Sequence, residues 1–337
     1  MKRLVLSAGL ALPLAFGALL PHPGRQSTCA AQTPRTATTA NTGGQTPPPA
    51  AQPQGDEDQE ESRKLWDEEL LQKRRRDERP ARRNYRYRRV TPRVRPAAKQ
   101  AAGQASAAPA AADRVIGLTF WRLRPSTGKD ETRLLVQKPG GGRVEYTPER
   151  IAAGTPLEKG QLVRISVESP VDGYLYVFDR ERYADGKLGP PYLIFPTSRT
   201  RGGNNEIRAG NVVEIPAQDE PPFEVAPTDP NVVGETLTII VSPRRLGLPL
   251  SESLYELSAE QRAQFDEWEK KWAGPFEVHE QSGGVGVAYT ASELKAGKGE
   301  AALTQADPLP QTIYRVPGKP GAPFLLLSVP LNYAPAR

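Results

Sequence analysis

The sequence predicts a mainly β fold: an antiparallel β-sandwich of the immunoglobulin-like kind with one amphipathic helix, preceded by a long disordered N-terminal arm. Apolar and polar residues alternate over residues 163–168, as in a strand with one face on a core and the other in water. Similar short segments are separated by Gly, Pro, Asn and Asp. The chain before residue 113 has few β-branched or aromatic clusters, so the folded part begins near there.

Residues 113–337 are predicted to form one domain, because this length is sufficient for a core of its own. Its strand candidates combine β-branched or aromatic residues with turn residues at their ends. These candidates are residues 115–123, 132–137, 163–168, 174–179, 192–195, 211–215, 236–242, 311–316 and 324–329.

One helix is predicted among the strands, at residues 259–272. Ser258 and Gln261 have the spacing of a capping box, which marks its start. Three aromatic residues recur on one of its faces: Phe265, Trp268 and Trp272. We expect this face to cover one edge or end of the sandwich.

The segment after the helix, residues 281–305, is rich in Gly, Ala and Lys and is predicted to be a flexible insertion. Its glycines do not predict a phosphate-binding loop. Such a loop requires a strand before it, a helix after it and a Gly-Lys-Ser/Thr ending, and none of these is present in the pattern.

The N-terminus predicts export. Lys2 and Arg3 precede an apolar run that reaches Leu20, and small residues follow, which is the order of a secretory signal. Residues 1–31 are the predicted signal peptide, whose cleavage removes Cys29, the only cysteine. An uncleaved signal anchor and acylation of Cys29 stay open as alternatives. The predicted location is periplasmic, outer-envelope-associated or extracellular.

Residues 32–112 are predicted to be a disordered tether, rich in Pro, Ala and Gln and then in Arg. Within it, residues 62–79 favour a short helix. An isolated helix of this length is marginal in water, so it is either transient and solvated or a helix that forms on a partner.

The positive charge of the chain is concentrated in this arm. Residues 73–95 contain one lysine and eleven arginines against two acidic residues, a local net charge of +10, whereas residues 113–337 carry −3. The predicted binding residues of the arm are Arg82, Arg83, Tyr85, Arg86, Tyr87, Arg88 and Arg89.

Arginine with tyrosine suits single-stranded nucleic acid. An exported chain meets anionic envelope polymers and lipid head groups instead, and these attract a basic arm by the same electrostatics. The predicted location therefore argues against nucleic acid as the partner. The hypothesis is that the arm binds an anionic envelope surface. The alternative is a self-repelling spacer.

The residue types argue against catalysis. After signal cleavage the chain keeps one histidine, His279, and no cysteine, so thiol nucleophiles and His-rich metal sites are excluded. His279 is expected at the surface. Acidic pairs, such as Asp179 with Asp185 and Asp219 with Glu220, would suit a glycosidase, although acidic residues beside Gly and Pro usually form turns. No cofactor and no metal is predicted.

An aromatic stripe is the best remaining candidate site in the domain. Tyr174, Tyr176 and Phe178 point to one face of a strand, and Leu175 and Val177 point to the other. If the aromatic residues face outward, they form a shelf for sugars or a partner protein. If they face inward, they are core residues with their hydroxyl groups at the rim, which is the more usual place for such residues.

Four short patterns occur in an order that resembles a known family. They are residues 173–178 (GYLYVF), residues 193–196 (LIFP), the Asn-Ile-Ala-Gly positions of residues 204–210, and residues 215–216 (IP). Over residues 161–216, and more loosely over 113–242, the chain resembles a bacterial envelope family catalogued as domain of unknown function 4384. No activity is established for that family. Because similar domains occur alone or attached to kinases and caspase-like peptidases, the resemblance implies a secreted all-β module with an accessory, partner- or ligand-sensing role.

The predicted function is a non-enzymatic interaction module of the cell envelope, which binds a protein or glycan and is displayed on a basic flexible arm. The alternative is a carbohydrate-active or peptidoglycan-modifying hydrolase that uses a carboxylate pair. The absence of thiols and the scarcity of histidine favour the first. The predicted partners are an envelope protein or glycan and, for the arm, an anionic surface. No transmembrane span is predicted after signal cleavage.

The arm hypothesis predicts that a peptide of residues 62–96 binds anionic vesicles or cell-wall sacculi and that salt weakens this binding. The physical reason is that the screening length falls from about 10 Å at 0.1 M salt to about 3 Å at 1 M. Co-sedimentation over a salt series measures it, with a peptide in which Gln replaces the arginines of residues 82–89 as the control. Binding that is absent or insensitive to salt removes the hypothesis.

Overall fold

Two antiparallel β-sheets form most of the described part of the chain. The computed structural model describes residues 66–75, 86–90, 113–137 and 142–335. The named strands all pair in antiparallel fashion. The predicted mainly β fold is therefore confirmed. The strands are β1 Arg86–Val90, β2 Arg114–Pro125, β3 Leu134–Gln137, β4 Arg143–Ile151, β5 Leu162–Glu168, β6 Gly173–Tyr183, β7 Tyr192–Phe195, β8 Glu206–Ile207, β9 Val212–Ile215, β10 Phe223–Glu224, β11 Val232–Ser242, β12 Tyr255–Glu256, β13 Glu277–Ser282, β14 Thr312–Val316 and β15 Leu325–Asn332.

The first sheet has nine strands arranged around the long strand β2. Its hydrogen-bonded order is β1, β13, β14, β2, β4 and β3, while β5 also pairs with β2 and continues to β9 and β10. The second sheet has the order β12, β7, β6, β11 and β15, with β8 beside β6. All nine strands predicted from the alternation overlap observed strands.

The main core lies between the two sheets. Val163, Ile165 and Val167 of β5 face Leu175 and Val177 of β6 across it, and each of them is less than 5 % exposed. Because side chains alternate along a strand, every second residue of β5 and β6 reaches this core. The alternation in the sequence therefore locates the inner faces of the sheets.

The outer face of the first sheet differs from the prediction. Arg164, Ser166 and Glu168 alternate with the core residues of β5 and are predicted to face water, yet none is more than 9 % exposed. Residues 283–310, which we call the strap, cover part of this face, while Arg74 lies on Glu168 and the loop at residues 216–220 lies on Arg164. The strap contacts this face through Tyr289, whose ring centroid is 4.0 Å from that of Trp121, and through Glu293, which binds Arg150.

The strap also differs from the predicted flexible insertion at residues 281–305. Residues 281 and 282 complete β13, and Ala291–Gly297 form a short helix, α2. Thr290 starts this helix with a capping box, because its hydroxyl accepts from the Glu293 N–H while the Glu293 carboxylate accepts from the Thr290 N–H. His279 of β13 is buried at 3 % exposure, so the predicted surface position is wrong.

The predicted helix at residues 259–272 is confirmed as Ala259–Trp272, which we call α1, with the capping box of Ser258 and Gln261. The predicted position of this helix, at an edge or end of the sandwich, differs from the observed one. The helix lies on the outer face of the second sheet, where the Phe265 ring centroid is 4.4 Å from that of Phe178. A second core therefore forms beneath α1.

Both faces of β6 are buried, so the aromatic stripe is not an outward shelf. Tyr176 and Phe178 are 3 % and 0 % exposed and pack in the core beneath α1, while Leu175 and Val177 pack in the main core. The Tyr176 hydroxyl accepts a hydrogen bond from the Leu246 N–H at 2.9 Å. Tyr174 is half-buried against the Arg245 guanidinium, 4.9 Å from its ring centroid. The shelf interpretation is therefore wrong for Tyr176 and Phe178.

Two pieces of the predicted tether lie against the domain. Residues 66–75 form a π-helical turn at Trp66–Leu70, a 3-10 turn at Leu71–Lys73 and an extended end, in place of one helix over residues 62–79. Strand β1 pairs with β13 at the edge of the first sheet. The predicted signal peptide and the other residues of the predicted tether lie outside the described residues.

The core beneath α1 predicts that Phe265→Ala lowers the free energy of unfolding by about 3–5 kcal/mol, since the change leaves a cavity beside Phe178. The matched control is Gln264→Ala on the exposed side of the same helix, for which a change within about 0.5 kcal/mol is expected. Urea denaturation measures both. Equal midpoints for the two variants would mean that α1 does not seal a core.

Candidate functional site

An open groove of about 1080 Å³ lies at the surface of the described part of the chain. It is bordered by residues 199–211, by β9 with the loop that follows, by the start of β3, and by the strap after α2. This volume lies at the upper end of the range found for small-molecule sites. The groove is therefore large enough for an extended ligand.

The rim of the groove is mainly basic. Solvent reaches six basic side chains in it and three acidic ones, Glu206, Asp219 and Glu300, while the fourth carboxylate, Glu214, is 1 % exposed. This excess of positive charge stands out because residues 113–337 as a whole carry −3. The basic residues are Arg75, Arg133, Arg199, Arg201, Arg208 and Lys298.

Several of these cations are available to a ligand. Within the described residues, Arg75 and Arg208 have no ion pair, and Arg199 and Lys298 are each 3.9 Å from a carboxylate oxygen. Arg201 donates to the backbone carbonyl of Glu206 at 3.1 Å. Partial desolvation lowers the pKa of Arg201, and nearby Glu206 opposes this effect. Guanidinium groups are weakly hydrated, which favours their pairing with anions.

A left-handed turn presents Arg201 in the groove. Arg201 has φ 55° and ψ 27°, and Gly202 follows at φ 61° and ψ 26°. A residue with a side chain is uncommon in this region, and such strain persists where the surroundings hold it. The turn is anchored on both sides: the Thr200 hydroxyl donates to Glu220 at 2.7 Å, and Asn205 Nδ2 donates to the Leu175 carbonyl of β6 at 3.0 Å.

Apolar side chains also line the groove. Leu135 of β3 is 52 % exposed, and Val212, Ala217 and Leu294 are half-buried. A lining that combines apolar and basic side chains suits a ligand that has both an apolar face and anionic groups.

A buried ion pair fixes the loop beneath the groove. Arg164 is fully buried and donates to the backbone carbonyls of Pro216, Ala217, Gln218 and Glu220. Its Nε lies 3.9 Å from the buried Glu214 carboxylate. Burial lowers the pKa of Arg164 and raises that of Glu214, and each charge opposes the shift of the other. One guanidinium therefore holds the loop that borders the groove.

A second buried group of carboxyls lies within the second sheet. Asp179 of β6 and Glu235 of β11 are 3 % and 1 % exposed, and the Tyr333 hydroxyl donates to Glu235. Burial raises the pKa of Asp179 to about 8, with Glu181 adding to the shift, and it raises the pKa of Glu235 well above the ordinary value. Burial therefore favours the protonated form of both carboxyls.

The acidic pairs proposed from the sequence are not brought together in this way. Asp179 is buried, whereas Asp185 is exposed and accepts from Lys187 at 2.7 Å. Asp219 lines the groove, whereas Glu220 accepts from Thr200 and is absent from the lining. Neither pair presents two carboxylates to one cavity of the described structure.

The predicted arm residues have two outcomes. Arg82, Arg83 and Tyr85 lie outside the described residues. Arg86, Tyr87, Arg88 and Arg89 belong to β1, and their backbone pairs with β13. No local pattern predicts the group of basic residues in the groove, because they are spread from residue 75 to residue 298. The one local signal was the Arg-Gly-Gly-Asn-Asn run of residues 201–205, within the stretch that resembles the unknown-function family.

No family model, curated protein or solved structure matches this chain. Membership of the unknown-function family and the immunoglobulin-like class of the sandwich both stay predictions. In the described residues, no helix has the length and hydrophobicity to span a bilayer. The same residues contain no group of three or more His, Cys, Asp and Glu side chains arranged around a possible metal ion.

The buried carboxyl pair predicts that stability falls as the pH rises. An unfolded Asp releases its proton near pH 4, whereas folded Asp179 keeps it until about pH 8. The folded state therefore binds more protons between these values, and the free energy of unfolding decreases from pH 4 to above pH 8. Urea denaturation at pH 5, 7 and 9 should show this decrease.

Asp179→Asn should flatten the decrease, because the amide cannot ionise. Asp185→Asn, on an exposed carboxyl of the same hairpin, is the control and should keep the wild-type pH dependence. An Asp179→Asn variant with an unchanged slope would show that the pair is not the source.

Proposed function

We propose that the protein is a non-enzymatic interaction module of the cell envelope and that it binds an anionic ligand in the groove. The observation that carries this proposal is the excess of basic side chains around an open cavity of about 1080 Å³ in a domain of net negative charge. Clefts lined by charge of one sign concentrate ligands of the opposite sign.

The spread of the charges favours an extended ligand over a single small anion. Arg199 and Arg208 belong to the segment of residues 199–211 and Lys298 to the strap, and apolar side chains line the groove as well. A sugar ring has an apolar face, and a uronic acid adds a carboxylate to it. An acidic glycan therefore matches both the basic and the apolar side chains of the groove, which makes it the ligand class that we propose.

The N-terminus predicts export, and an exported protein meets the acidic polymers that are abundant in the cell envelope. The basic arm adds a second, less specific attraction to the same surfaces. The hydrolase alternative has less support, since Asp219 faces the groove without Glu220. Binding through the groove, together with anchoring through the arm, accounts for both concentrations of positive charge.

The test uses a short oligogalacturonate as the acidic glycan and the full chain. We expect backbone amide shifts at residues 199–211 and 297–302. In isothermal titration, replacement of Arg199, Arg208 and Lys298 together by Ala should weaken binding about tenfold, because each exposed charge pair contributes up to about 1 kcal/mol. Rising salt should weaken the wild-type binding.

The matched control replaces Arg114, Arg143 and Arg244 by Ala. These arginines are equally exposed, lie outside the groove and carry the same total charge. The control should bind within about twofold of the wild type, since the arm is intact in both triple variants. Equal losses in the two triple variants, or amide shifts confined to the arm, would contradict binding in the groove.

A further inference from the structure

A pair of sockets on the domain holds residues 66–75. The first socket is apolar and is formed by Val115, Leu309 and Ile313. Leu70 fills it and is 0 % exposed, and Leu71 packs beside it. A completely buried leucine is an anchor, because burial of such a side chain is worth about 1.5–3 kcal/mol.

The second socket is shaped for a guanidinium group. Arg74 donates from Nε and Nη2 to the two carboxylate oxygens of Glu168, at 2.8 and 2.6 Å. Its Nη1 lies 3.0 Å from the carbonyl oxygen of Pro308 and 3.3–3.4 Å from those of Thr304 and Asp307. A planar fork that meets both carboxylate oxygens is a geometry that lysine cannot reproduce.

The backbone of the segment is also bound. The Gln305 N–H donates to the Arg75 carbonyl at 2.9 Å, and Gln305 Nε2 donates to the Leu71 carbonyl at 3.1 Å. On the other side, Gly210 has φ +76°, and a Cβ at this position would lie 2.4 Å from the Lys73 carbonyl oxygen. The domain therefore provides a fitted path for the main chain between the two anchors.

The groups described above that bind the segment belong to the domain, and residues 76–113 separate the segment from β2. The two anchor side chains are Leu70 and Arg74, four residues apart, with Leu71 packed beside the first. The hydrogen bonds from Gln305 reach backbone carbonyls, which any residue can supply. This is the arrangement of a peptide-binding site with two anchor residues.

We propose that these sockets form a peptide-binding site that recognises leucine followed four residues later by arginine, and that the arm of the same chain occupies it. The arm acts as an internal ligand held at high effective concentration by the intervening chain. A peptide with the same two anchors competes for the site whenever the arm is weakened. This proposal is independent of ligand binding in the groove.

The test uses the full chain with Leu70, Leu71, Arg74 and Arg75 replaced by Ala, because Leu71 and Arg75 have the same spacing as the two anchors. The probe is a fluorescent peptide of residues 62–78 with Leu71→Ala and Arg75→Ala, which keeps Leu70 and Arg74 as its one matching pair. Fluorescence anisotropy should detect binding of the peptide to this variant and far weaker binding to the wild type. The same peptide with Arg74→Lys should bind the variant about thirtyfold less tightly or worse, because the bidentate contact is lost. Adding Glu168→Gln to the variant should abolish the difference between the two peptides.

The quadruple variant leaves Glu168 buried without its bidentate partner, so its folding is checked by a cooperative melting transition. If that transition is lost, the variant with Arg74→Lys and Arg75→Lys replaces it, since a cation then remains opposite Glu168. The peptide should bind this variant more tightly than it binds the wild-type chain, and it should raise the melting temperature of the variant. Equal affinity of the variant for the Arg and Lys peptides, or no binding to a folded variant, would overturn the proposal.

Discussion

The structure depends on the pairing of buried charges on the outer face of the first sheet. Glu168 binds Arg74 of the arm, Arg150 binds Glu293 of the strap, and Arg164 lies beside Glu214 in β9. All six side chains are at most 7 % exposed. A buried charge without a partner is strongly destabilising, so the sheet requires a cover that supplies opposite charges. The strap and residues 66–75 meet this requirement.

The same buried layer organises both candidate binding regions. Arg164 reaches from β5 to the carbonyls of the loop at residues 216–220, and this loop borders the groove. Glu168, four residues along the same strand, reaches Arg74 and places the neighbouring Arg75 on the groove rim. Because side chains alternate along β5, these two charged residues share one face. Docking of the arm and the shape of the groove therefore depend on a single strand.

Local patterns in the sequence predict nine of the fifteen described strands and α1, because the alternation, the turn residues and the capping box of Ser258 all lie within a few residues of the element that they specify. Strand β4 was missed because Pro148 interrupts its pattern. The covered outer face was missed for a different reason. Arg74 and Glu168 are 94 residues apart, and Arg150 and Glu293 are 143 apart. An alternating charged residue has the same pattern whether water or a distant segment covers it, and the groove residues are similarly scattered.

The buried pairs bear more on specificity than on stability. Transfer of two charges out of water costs about as much as their attraction returns, so Arg74 with Glu168 adds little net stability. A misplaced partner, by contrast, leaves Glu168 buried and unpaired at full cost. The arm contains eleven arginines within residues 73–95, and Arg74 is the one that reaches Glu168 when Leu70 fills the apolar socket. Among these eleven arginines, Arg74 and Arg75 are the two that have a leucine four residues before them, Leu70 and Leu71. The carboxylate and the apolar socket together therefore restrict a repetitive basic sequence to two registers, which neither could do alone.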